Sequence, residues 1–128
     1  MISKGARVHI VEARFYEDLA DELANGAARI LDDHQVAYVR VQVPGAFEIP
    51  ATIRLAARSS GVGQGDGFIA LGCVIRGETD HYDHICREVS RALMDLATFE
   101  CLSIGFGVLT CASYDQARVR AAVDGKNK

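Results

Sequence analysis

Within six consecutive positions this chain carries a guanidinium, two carboxylates, a hydroxyl and an imidazole, on Arg76, Glu78, Asp80, Thr79 and His81. Such a set can hold an anion and move a proton. Imidazole titrates near neutral pH, with an unperturbed pKa of about 6.5, so His81 is a candidate proton carrier. Gly77, Glu78 and Thr79 stand just before a helical pattern. The free N–H groups of a helix start, together with a hydroxyl, suit a phosphate. The alternative is that Thr79 or Asp80 merely caps the helix. His81 and His84 lie on one helical face beside Asp83 and Cys86, but no Cys-x-x-Cys or His-Glu-x-x-His set accompanies them, so no metal is expected.

These residues need a frame, and the hydrophobic pattern supplies one. A wholly apolar run, 68–75, leads straight into the polar loop. Its two alternating sets are Phe68, Ala70 and Val74 on one side and Ile69, Leu71 and Ile75 on the other, as in a strand buried on both faces. Further strands are expected at 7–13, 36–43 and 103–110. Helical spacing links Leu19, Leu23, Ala27, Ile30 and Leu31, with acids Glu17, Asp18, Asp21 and Glu22 at the amino end, where the dipole favours them. Pro50 opens a second helix whose buried face is Ile49, Ile53, Ala56 and Ala57. A third carries the stripe Ile85, Val89, Ala92, Leu93 and Leu96, and Ser113 with Gln116 makes a capping-box pattern before a short fourth.

Four β-α units in sequence imply a parallel sheet with right-handed crossovers. The expected fold is therefore α/β, a flavodoxin-like three-layer sandwich with strand order 2-1-3-4 and helices on both faces. The whole chain, 1–128, reads as one domain. In that order the first and last helices share one face, which the short last helix covers poorly. Either a further segment beyond the polar run 124–128 or a neighbouring subunit must fill the gap.

Composition narrows the function. At 49% hydrophobic and 24% charged, the chain resembles an ordinary globular protein. A net charge of −3 without any Lys/Arg block argues against nucleic acid or an anionic membrane as partner. No apolar run approaches the ~20 residues of a membrane span, and the amino terminus does not resemble a signal peptide. Cys73, Cys86, Cys101 and Cys111 read as buried, reduced thiols of a cytoplasmic protein.

The sheet's carboxyl edge should gather four segments: 13–15, 44–50, 76–81 and 110–113. Phe15 is either a platform for a flat heterocycle or a core anchor for the first helix. Glu48 is either a ligand to substrate or a cap of the helix it opens. The glycine-rich stretch 61–67 precedes a strand instead of opening a helix, so it reads as a turn and not as a phosphate loop. His9 and His34 read as structural.

The segments VEARFYEDL, VPGAFEIP, ALGCVIRGETDHYDHIC and GFGVLT, in this order, resemble the lumazine synthase family over nearly the whole chain. The resemblance implies an enzyme of riboflavin biosynthesis. It would condense 5-amino-6-ribitylaminouracil with 3,4-dihydroxy-2-butanone 4-phosphate to 6,7-dimethyl-8-ribityllumazine, releasing phosphate and water, with neither metal nor organic cofactor. By motif position Phe15 would stack on the pyrimidine, and Ala46, Phe47 and Glu48 would line the site, Glu48 near the ribityl hydroxyls. Val74 and Ile75 would bind the pyrimidine through backbone groups; Gly77, Glu78 and Thr79 would hold the phosphate; His81 would transfer protons. Phe106 and Arg120 would come from the adjacent subunit of a homo-oligomer whose basic unit is a pentamer. An arginine suits phosphate because its fork is bidentate.

Tyr16 stands where many members have Asn, and Asp124 where some have Lys. The family usually continues with one more amphipathic helix beyond the point where this sequence stops, so a truncated form is expected. These departures motivate an alternative, a flavin- or lumazine-binding protein of the same fold with little catalysis.

Overall fold

In the computed structural model, which describes residues 6–59, 62 and 66–126, strand and helix alternate throughout. The order is β1 (Val8–Ala13), α1 (Glu17–Asp33), β2 (Tyr38–Val43), a single 3-10 turn (Ala46–Glu48), α2 (Ile49–Arg58), β3 (Gly67–Ile75), α3 (His81–Thr98), β4 (Ser103–Cys111) and α4 (Tyr114–Ala121). All neighbouring strands pair in parallel, in the sheet order β2-β1-β3-β4. The expected architecture is the observed one. The glycine-rich stretch read as a turn falls mostly outside the described residues.

The two faces of β3 divide the core. Phe68, Ala70 and Val74 pack with Ile49 and Ile53 of α2 and with Val89, Leu93 and Leu96 of α3. Ile69, Leu71 and Ile75 pack on the other side with Leu19, Leu23 and Leu31 of α1 and with Ala117 and Ala121 of α4. Period-2 alternation in a strand therefore meets period-3.6 stripes from both helical layers. Where the cover was expected to be thin, it is: Ser103 and Gly105 of β4 are exposed and Ile69 is only half buried.

Local chemistry sets the element ends. α1 closes in a Schellman-type turn, with Val36 N–H donating to Leu31 O at 2.9 Å and Gln35 N–H to Asp32 O at 3.0 Å. The turn requires φ of +56° at Gln35, so β2 starts at Tyr38, two residues later than the β-branched run suggests. At α4, Ser113 Oγ accepts from Gln116 N–H at 3.2 Å. The reciprocal bond of the capping box runs from Ala112 N–H to Gln116 Oε1 at 2.9 Å, one residue before the cap.

The expectation of buried cysteines holds in full for one residue, in part for two, and fails for one. All four thiols are free, Cys111 is buried, and Cys73 and Cys86 are half buried. Cys101 is exposed: it lies in the α3–β4 turn with φ of +58°. His9 and His34 are structural as read. His9 Nε2 lies 2.9 Å from Asp66 Oδ2, and its ring stacks on Phe68. His34 caps α1, with Nδ1 2.8 Å from Ile30 O.

Candidate functional site

At the carboxyl edge of the sheet the turns after β1, β2 and β3 surround a crevice of about 670 Å³. That volume falls within the range of small-molecule sites. Phe15, Ala46, Phe47, Glu48, Val74, Ile75, Gly77, Thr79 and His81 all line it. Glu78 is exposed off the lining, and Phe106 and Arg120 lie elsewhere on the chain.

Each wall is built from local sequence. Arg14 N–H bonds Val43 O at 3.1 Å, extending the β1–β2 pairing by one residue and launching the chain into the turn that presents Phe15. Phe15 is 73% exposed, which removes the core-anchor reading and leaves an aromatic face at the crevice mouth. Its contact with Tyr16 is edge-on, with ring centroids 4.8 Å apart. After β2, Pro44 and Gly45 lead into the 3-10 turn, where Glu48 Oε2 accepts Gly45 N–H at 3.1 Å. Glu48 thus caps its own turn while it borders the crevice. Phe47 is 61% exposed beside it.

The loop after β3 is fixed at both ends. Arg76 N–H bonds Cys111 O at 2.9 Å, and the Arg76 guanidinium sits 4.5 Å from the centroid of the Tyr82 ring. It also lies 3.5 Å from Asp83 Oδ1, so a cation–π contact and an ion pair bind the loop to the first turn of α3. Between these anchors Gly77 is open, with nothing within 4 Å of where a Cβ would be. Thr79 Oγ1, one residue before the Asp80 N-cap, accepts the His81 N–H at 3.3 Å, while Asp80 pairs with His84 at 3.2 Å. The His81 side chain is left exposed to the crevice. Among the described residues no group of three or more His, Cys, Asp or Glu is placed to hold a metal.

The inner wall is neutral. Burial, with Cys111 and Cys86 nearby, pushes the Cys73 thiol up to about 12, so it is not a nucleophile near neutral pH. Burial likewise raises the Tyr16 and Tyr82 phenols, with nearby cysteines adding to it. The crevice therefore combines an apolar floor, four aromatic rings, a helix start open to an anion and one imidazole. It can bind a flat polar ring beside a phosphate and exchange protons between them.

Sequence reasoning missed three lining residues, Cys73, Tyr82 and Ile85; Pro44 and Gly45 lie in the expected edge segment 44–50, and Tyr16 is one of the departures from the family pattern. Tyr82 and Ile85 follow His81 by one and four positions on α3, so helical spacing would have pointed to Ile85. Cys73 carried no such signal.

The sequence model of the 6,7-dimethyl-8-ribityllumazine synthase family matches residues 5–128. The 6,7-dimethyl-8-ribityllumazine synthase 1 of Rhizobium meliloti is 50% identical over 120 residues, 92% of this chain and 78% of that protein. The 6,7-dimethyl-8-ribityllumazine synthase of Agrobacterium fabrum is 51% identical over 122 residues, 93% of this chain and 82% of that protein. That of Bartonella henselae is 47% identical over 127 residues, 99% of this chain and 81% of that protein.

Proposed function

Since the chain belongs to the 6,7-dimethyl-8-ribityllumazine synthase family, we propose that the crevice at the sheet edge is where it performs that condensation. The protein is a transferase of riboflavin biosynthesis. Its substrates are 5-amino-6-ribitylaminouracil and 3,4-dihydroxy-2-butanone 4-phosphate. The observation that carries the reading is that nine of the twelve residues implied by motif position border one crevice.

The pyrimidine stacks on Phe15 and reaches the backbone of Val74 and Ile75, with its ribityl chain towards Ala46, Phe47 and Glu48. The phosphate of the second substrate sits at Gly77, Glu78 and Thr79, where the N–H groups of the helix start favour an anion. One amine of the pyrimidine adds to the ketone and loses water to an imine. Removal of a proton from the adjacent carbon expels phosphate, and the second amine closes the ring with loss of another water. His81 carries the protons in these steps. Orientation of two bound reactants supplies much of the acceleration. No metal or organic cofactor takes part.

Besides Glu78, which adjoins the lining in sequence, Phe106, 53% exposed, and Arg120, bonded among the described residues to Gln116 O at 3.2 Å within α4, lie outside the crevice. A neighbouring copy would bring them in, Phe106 over the ring and Arg120 to the phosphate, in a homo-oligomer with a pentamer as its unit. Phe99, Leu55 and Met94, each more than 60% exposed on α2 or α3 or just beyond, are suited to burial between copies. We place the protein in the cytoplasm, in keeping with its four free thiols. No helix is long and apolar enough to cross a membrane among the described residues.

Growth of the lumazine absorbance, dependent on both substrates, tests the assignment. A folded oligomer that binds riboflavin tightly without turnover would instead support the binding-protein alternative, which the relatives do not favour.

A further inference from the structure

A charge network centred on one buried carboxylate joins β1, β2 and α1. Glu12, the next-to-last residue of β1, is fully buried. Its carboxylate accepts two bonds from Arg40 of β2, at 2.7 and 2.8 Å, and one from Arg14 at 2.7 Å. The second arm of Arg14 pairs with Asp21 of α1. Burial pushes the Glu12 carboxyl up, but the two arginines outweigh it and hold the group below its ordinary value. None of these four residues lines the crevice. Yet Arg14 immediately precedes Phe15, a ring so exposed that packing does little to hold it.

We propose that Glu12 is a positioning residue that acts through Arg14 to hold Phe15 at the mouth of the crevice. The inference rests on the reading of Phe15 as the platform for the pyrimidine. Three points support it. Buried charges are costly unless fully paired, and Glu12 has three charge-assisted bonds that hold its partners in one geometry. Arg14 is tied to three elements at once: to β1 through Glu12, to α1 through Asp21 and to β2 through its own N–H. A functional side chain on a short turn is only as well placed as the groups that lock its neighbours.

The test is a double-mutant cycle on the full-length oligomer, with KM measured separately for the two substrates. Glu12→Gln is expected to raise KM for the ribitylaminopyrimidine about tenfold, with KM for the butanone phosphate little changed. The pair Phe15→Leu with Glu12→Gln should then be no worse than Phe15→Leu alone, because both act on one platform. Arg14→Lys should fall between wild type and Glu12→Gln. If Phe15→Leu leaves the pyrimidine KM unchanged, the platform reading fails. If Phe15→Leu raises it while Glu12→Gln leaves it alone, or the two effects multiply, the positioning role is overturned and the platform stands. An equal rise in both KM values likewise overturns it, as general damage to the fold. Should Glu12→Gln not fold, Asp21→Asn, at a carboxylate 62% exposed, must still shift only the pyrimidine KM for the proposal to survive.

Discussion

His81 begins α3 at the rim of the crevice, with its backbone N–H on Thr79 Oγ1 and its ring free towards the lining. General acid–base groups contribute about 10²- to 10⁴-fold. Replacement His81→Ala should lower kcat by that order with KM for either substrate changed severalfold at most, as steady-state kinetics would show. Loss confined to KM would mean that the imidazole only binds. Glu12 makes a different prediction, about stability. Its folded pKa lies below the reference value of 4.5, so its contribution is full above that pH and disappears as pH falls through the folded value. Wild type should therefore exceed Glu12→Gln in melting temperature at neutral pH, and the gap should narrow below pH 4.5. A gap independent of pH would assign the difference to packing. His81 was readable in the sequence because residue type and spacing announce it. Glu12 was visible only as an acid inside an apolar strand, since its partners lie two residues and 28 residues away.

Among the elements, β4 shows how glycine serves packing here. A Cβ on Gly107 would lie 2.8 Å from Leu71 Cδ2 and 3.1 Å from Ala70 O. Backbone cannot yield as a side chain can, so Gly107→Ala should cost about 1–3 kcal/mol in urea unfolding. Gly105→Ala meets only ordinary contacts, the nearest at 3.6 Å, and should cost much less. Equal costs at the two positions would point to strand entropy and not to the close approach to β3. The elements themselves were legible because alternation and helical stripes are written locally. Their ends were less so: β2 begins late because the Schellman turn after α1 consumes Gln35 and Val36. Cys101, expected to be buried, is exposed for a similar reason, a turn with positive φ that composition does not announce.

For the whole molecule, the central prediction concerns completeness of the site. His81 lines the crevice, while Arg120 and Phe106 lie elsewhere on the same chain. If a neighbour supplies them, His81→Ala and Arg120→Ala oligomers, each nearly inactive, should regain activity when dissociated and reassembled together. Random mixing would restore about a quarter of the sites, because each site draws one residue from each of two copies. No recovery in verified mixed oligomers would place both residues in one subunit. The sequence alone determined the alternation of strand and helix, hence the sheet order, and the segments 13–15, 44–50 and 76–81 that line the crevice; the fourth expected segment, 110–113, does not line it. Those follow from periodicity and connection rules that act over short stretches of chain. Only the tertiary structure decided that Phe15 is an exposed ring and not a core anchor. The same holds for Tyr16, Cys73 and Tyr82 joining the lining, and for Arg14 and Arg40 meeting on one buried carboxylate. Those outcomes depend on which side chains meet across strands far apart in sequence, which sheet register sets and local pattern does not record.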